Sequence, residues 1–111
     1  MDILFKSSKF QKECNNQRRL QKQYGIVRAK RLRQRLDDLR AVQVLEEMKN
    51  LPGRCHELLH DRTGQFSLDL DHPYRLIFEP ANNPIPTKND GGIDWQNVTV
   101  VRILGVEDTH E

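Results

Sequence analysis

At Leu51-Pro52-Gly53 the apolar pattern of this chain changes period. Upstream, Ala29, Leu32, Leu36 and Leu39 recur at three- and four-residue steps, the spacing of one helix face. Downstream, Phe66, Leu68 and Leu70 alternate with Ser67, Asp69 and Asp71, the spacing of a half-buried strand. Proline lacks a backbone N–H and glycine weakens helices, so the break itself stops helical structure. A chain that changes period once, at a breaker, builds a helical part and a sheet part.

The elements follow from local signals. Ile3-Leu4-Phe5 reads as a short strand. Ser8 with Gln11 makes a capping-box pattern, so a helix is expected from near Lys9 to Tyr24, ended by Gly25. A second helix carries Ala29 to Leu39, and Val44, Leu45 and Met48 continue or kink from it. With only Gly25 between them, the two helices should form an antiparallel hairpin. Strands are expected over Cys55 to Leu59, Phe66 to Leu70, Tyr74 to Phe78 and Val98 to Val106. Short turns such as Asp61-Arg62-Thr63-Gly64 and His72-Pro73 imply antiparallel pairing. The span 80–97 holds three prolines, Gly91-Gly92 and several Asn/Asp, and reads as a long loop. The expected fold class is α+β: an N-terminal strand, a basic two-helix hairpin, then a mostly antiparallel sheet. At 111 residues this is one domain, 1–111.

Charge divides the chain as sharply as periodicity does. Lys6 to Arg40 contains twelve Lys/Arg and three acids, Glu13, Asp37 and Asp38. The remainder contains six basic and thirteen acidic residues. A basic segment this dense fits a polyanion or an acidic protein partner. Only three consecutive apolar residues, Ile3 to Phe5, stand before Lys6, so neither a signal peptide nor a membrane span is expected, and the protein is expected in the cytoplasm. Cys14 and Cys55 form no C-x-x-C pair and are expected as free, half-buried thiols.

No Walker loop, G-x-G-x-x-G, G-x-S-x-G or H-E-x-x-H occurs, which removes the commonest nucleotide-binding and hydrolase readings. Cys55, His56 and His60 do not make a convincing zinc set, because adjacent strand residues face opposite ways; no metal or cofactor is assigned. Histidine, aspartate and arginine remain on the expected strands and tail. Metal-free RNA cleavage needs a base for the ribose 2′-OH, an acid for the departing 5′-oxygen and a cation for the phosphate. His56 and His110 are candidates for acid and base, and Asp108 for orienting a histidine or acting as a base. Arg62 and Arg75 are candidate phosphate binders, joined by Lys22, Arg28, Arg31 and Arg35 of the basic helices. The structural alternatives are an Arg75 paired with Asp69, Asp71 or Glu79, and a His56 with a purely structural role. Trp95 suits either stacking on a base or anchoring the long loop.

Several segments together resemble a known family. They are Leu51-Pro52, Arg54-Cys55-His56-Glu57-Leu58, Asp61-Arg62-Thr63-Gly64-Gln65-Phe66-Ser67-Leu68, Tyr74-Arg75-Leu76-Ile77-Phe78 and Val106-Glu107-Asp108-Thr109-His110. With the basic hairpin before them, they resemble the HigB-type plasmid-maintenance killer toxins of the RelE/ParE superfamily over nearly the whole chain. The resemblance implies a fold like that of microbial ribonucleases. It also implies a toxin that enters the ribosomal A site and cleaves messenger RNA during translation. The family's strand histidine and terminal Asp-Tyr-His fall on His56, Asp108 and His110, and the arginine of the related RelE branch on Arg75. Two departures stand out: Thr109 replaces the family tyrosine, with Tyr74 and Trp95 as substitute aromatics, and the 80–97 loop is longer. The implied partners are a helix-turn-helix, HigA-like antitoxin, the ribosome and mRNA. Two other functions fit a shared fold: a ParE-type toxin that poisons DNA gyrase, and a non-toxic module that binds the antitoxin.

Overall fold

The computed structural model describes residues 1–108. Three α-helices and five strands follow the expected order: β1 (Asp2–Phe5), α1 (Ser8–Cys14), α2 (Gln17–Tyr24), α3 (Ile26–Ala41), β2 (His56–Glu57), β3 (Phe66–Asp69), β4 (Tyr74–Pro80) and β5 (Val100–Asp108). Short 3-10 helices cover Leu45–Asn50, His60–Arg62 and Trp95–Asn97. The strands form one sheet in the order β1-β5-β4-β3-β2, with β1 parallel to β5 and the other pairs antiparallel. The expected α+β class is therefore the observed one.

The helical layer differs from expectation at its start. Ser7, not Ser8, caps α1 by accepting from the Phe10 N–H. The single helix expected up to Tyr24 is two, because the Asn16 side chain accepts from the Arg19 N–H and starts α2 afresh. An asparagine oxygen satisfies a helix-start donor well, so Asn15-Asn16 breaks a run that its apolar spacing alone would continue. Gly25 ends α2 and opens α3 at φ 83°, a left-handed conformation that glycine adopts without a Cβ penalty. Val44 is extended, and Leu45 and Met48 fall in the separate 3-10 helix Leu45–Asn50; at α3's end Leu39, Arg40 and Val42 carbonyls accept from the Met1 ammonium.

One face of the sheet carries the core. Leu32, Leu36 and Leu39 of α3 bury against Phe66, Leu68, Leu76, Phe78, Val101 and Ile103. Truncating any such leucine costs about 2–5 kcal/mol, so this contact holds the layers together. The register Phe66↔Phe78↔Ile103 puts the three in one row. A β-bulge after Ile77 shifts β5, so that Ile77 faces Gly105 while Phe78 faces Ile103. The other face holds the odd-numbered residues of β3 and β4. Ser67 and Ile77 there are fully buried, which corrects the half-buried reading of β3.

The strand expected over Cys55 to Leu59 is only His56–Glu57. Arg54 before it has φ 50°, which no strand allows, and Leu58 N–H closes onto the Gln65 carbonyl at 2.8 Å. The 80–97 loop is tied at several points. Asn82 bonds Thr99 by backbone and side chain, and Thr87 bridges Ile93. Trp95 meets the edge of Phe66, ring centres 4.8 Å apart, with Lys49 over its own ring at 4.4 Å. These contacts favour the anchoring reading of Trp95.

Candidate active site

His56 is positioned by strand pairing. In the register His56↔Ser67↔Ile77↔Gly105 it lies on the sheet face away from α3. Its Nδ1 is 2.8 Å from the Arg54 carbonyl oxygen, and its Nε2 is 3.4 Å from Ser67 Oγ. A carbonyl only accepts, so Nδ1 carries the hydrogen and the lone pair of the neutral ring sits on Nε2. The Ser67 hydroxyl donates to that lone pair when the ring is neutral and accepts when it is protonated. Histidine held in this way is competent to take up and release a proton.

A cluster of charge adjoins it. Asp69 stands two residues from Ser67 on the same strand face, opposite Arg75. Its carboxylate receives Arg54 at 2.7 Å and lies 3.2 Å from Arg75 Nε. Partial burial alone would raise the Asp69 carboxyl, but Arg54, Arg75 and His56 outweigh it and hold it below the usual carboxylate range. Arg54, Asp69, His72, Tyr74 and Arg75 line a small cleft of about 90 Å³. Arg75 thus has one of the partners foreseen for it, Asp69, on the sheet face that also carries His56.

The other predicted residues are dispersed. Arg62 sits on the 60–62 helical turn and grips Glu107 with both Nη atoms at 2.8 Å. Because Glu107 pairs with Arg75 across β4 and β5, Arg62 lies along the same face. Asp108 ends β5 opposite Tyr74 and is exposed. His110 lies outside the described residues. Lys22 and Arg31 are exposed on the helices, Lys22 beside a groove that Lys9, Lys12 and Arg19 also line. Arg28 is committed inside the molecule: it pairs with Asp71 and stacks 3.4 Å above the Tyr74 ring.

Arg35, expected among the phosphate binders of the basic helices, differs from Lys22 and Arg31 in being buried. It is 5% exposed, and its Nε donates to the Asp69 carbonyl at 2.8 Å. A guanidinium buried against a backbone acceptor serves packing and is poorly placed to meet RNA. Its charge in a basic run gave it the look of a surface residue. Its place three residues from Leu32 and one from Leu36, on the apolar stripe, is the signal that marks it as inward-facing.

Arg54, Ser67 and His72 enter this neighbourhood without a role expected for them, and Asp69 is expected only as a partner for Arg75. The left-handed φ of Arg54 and the burial of Ser67 have no local sequence signature. Among the described residues, no three His, Cys, Asp or Glu side chains gather as metal ligands would.

Two solved structures share this architecture, a YoeB-YefM complex and a YoeB dimer, both from Staphylococcus aureus. The chain has a YoeB-like fold. Each match covers 100% of this chain and 98% of the other, with a TM-score of 0.56 and 17% identity. At that identity the YoeB likeness is one of fold. No protein-family model matches the chain, and no curated protein matches it. In this chain's own sheet the helices cover one face, and the other carries His56, Asp69 and Arg75.

Proposed function

We propose that this chain is the toxin of a type II toxin–antitoxin pair and cleaves messenger RNA during translation, in the manner of the HigB-type proteins it resembles. The observation that carries this reading is His56, held through Nδ1 by the Arg54 carbonyl on the sheet face opposite the helices, the face that also carries the Asp69–Arg75 pair. The YoeB/RelE-like toxin fold supports it independently.

In this reading His56 Nε2 takes the proton from the ribose 2′-OH, and the attack forms a cyclic phosphate without a metal. Arg75 and Arg62 counter the charge that gathers on the phosphate. Asp108 and His110 supply the orienting carboxylate and the acid; both assignments rest on the resemblance. Lys22 and Arg31, exposed on the helices, contact the RNA backbone. The proposed partners are the ribosome with its mRNA and a HigA-like helix-turn-helix antitoxin, both from the resemblance; that one of the YoeB structures is a complex with YefM supports an antitoxin partner of some type. The proposed location is the cytoplasm; no helix among the described residues is long and apolar enough to cross a membrane.

Primer extension on mRNA in a purified translation system tests the proposal. New 5′ ends that require both ribosomes and an intact His56 support it. Intact RNA, with inhibited supercoiling in a parallel gyrase assay, would replace it with the gyrase-poison function.

A further inference from the structure

Asp69 holds its surroundings through every polar group it has. Its N–H donates to the Gly53 carbonyl at 2.7 Å, and its carbonyl accepts Arg35 Nε at 2.8 Å. Its Oδ2 accepts Arg54 Nε at 2.7 Å, and its Oδ1 lies 3.2 Å from Arg75 Nε. The Gly53-Arg54 turn is thus clamped by backbone and side chain to one aspartate. The clamp works against a cost, since Arg54 stands at φ 50° and a non-glycine residue gives up about 1 kcal/mol there. Gly53 at φ 113° leaves room for it: a Cβ there would meet Arg35 Nε at 2.8 Å and displace it.

The product of this clamp is the direction of one carbonyl, the Arg54 C=O that accepts from His56 Nδ1 at 2.8 Å. We infer that Asp69 is a positioning residue for His56: by clamping the Gly53-Arg54 turn it fixes the imidazole as the Nδ1–H tautomer and leaves Nε2, beside the Ser67 hydroxyl, as the basic nitrogen. The tautomer follows from the geometry alone; its use in proton transfer rests on the nuclease reading above. An ion-pair cluster that merely tied the turn to β3 would leave the imidazole tautomer indifferent to the Asp69 charge.

The test is nitrogen NMR on the full chain with labelled histidine, in alkaline buffer where histidines are neutral, with His56 assigned through a His56→Gln variant. The wild type should show His56 mainly as the Nδ1–H tautomer. Asp69→Asn keeps both backbone bonds and removes the charge that holds Arg54 and Arg75. It should move the tautomer ratio about fivefold towards Nε2–H, the weight of one ordinary hydrogen bond. Arg54→Gly tolerates the positive φ, removes a side chain that is 66% exposed, and should move the ratio the same way if Asp69→Asn does not fold. A wild-type His56 that is mainly Nε2–H, or a ratio unchanged in the folded variants, overturns the inference. RNA is absent from this measurement, so the two proposals fail separately. A tautomer shift without any mRNA cleavage upholds the positioning role and removes the nuclease. Cleavage with an unchanged tautomer does the reverse.

Discussion

Arg62 and Glu107 meet fork to fork, with Nη1 and Nη2 each 2.8 Å from one carboxylate oxygen, while Gln65 Oε1 accepts from the same guanidinium. The pair ties the 60–65 connection to the last strand. A guanidinium arranged for a carboxylate is also arranged for a phosphate, so Glu107 competes with RNA for Arg62. Both side chains are over a third exposed, and such pairs contribute less than about 1 kcal/mol to stability. Arg62→Ala should therefore leave the urea midpoint nearly unchanged while lowering mRNA cleavage about tenfold or more. Glu107→Gln should raise RNA affinity. Parallel losses of stability and cleavage in Arg62→Ala would make the residue structural.

Arg35 and Arg31 lie one helical turn apart on α3 and should behave oppositely. Arg35→Ala strips a buried side chain and leaves the Asp69 carbonyl without its guanidinium donor, a loss of about 1–3 kcal/mol. The melting temperature should fall by several degrees. Arg31 is exposed, and Arg31→Ala should change stability by less than about 0.5 kcal/mol. Calorimetry on the two variants separates the packing role from a surface role; equal melting temperatures would contradict the burial of Arg35.

Acid should weaken the fold through two carboxylates. The hydrogen bond from Arg28 holds Asp71 below its ordinary value of 3.8. At Asp69 burial pushes upward, but Arg54, Arg75 and His56 prevail and its carboxyl is also held below 3.8. A folded pKa below the unfolded one means that the native state binds fewer protons, so stability rises with pH through this range. The contribution is complete above 3.8 and is lost as pH falls through the depressed folded values. Urea midpoints measured from neutral pH to well below 3.8 should fall more steeply for the wild type than for Asp71→Asn or Asp69→Asn. Curves of equal slope would exclude these carboxylates as the acid-sensitive groups.

Cys14 and Cys55 should be inert in the native protein. Burial pushes both thiols up to about 12, so little thiolate exists near neutral pH. Disulfide reagents should label them about a hundredfold or more slowly than in urea. Rapid labelling of the folded chain would show that one of the two opens to solvent.

Much of this molecule is written in local patterns. The change of period at Leu51-Pro52-Gly53, the apolar stripe of α3, the alternation in β3 and the breaking role of Gly25 depend on near neighbours in the chain, and the element order follows from them. His56 and Arg75 could be named as candidates because histidine and arginine suit proton transfer and phosphate binding wherever they occur. Other features depend on which surfaces meet. Nothing local marks Ser67 as buried or Asp69 as the joint between α3, the Gly53-Arg54 turn and Arg75. Those roles arise when pairing register and layer packing bring together residues 15 to 34 positions apart, such as Arg54 with Asp69 and Arg35 with Asp69. Periodicity reports how a segment presents its own side chains; only the assembled sheet and helices decide what those side chains touch.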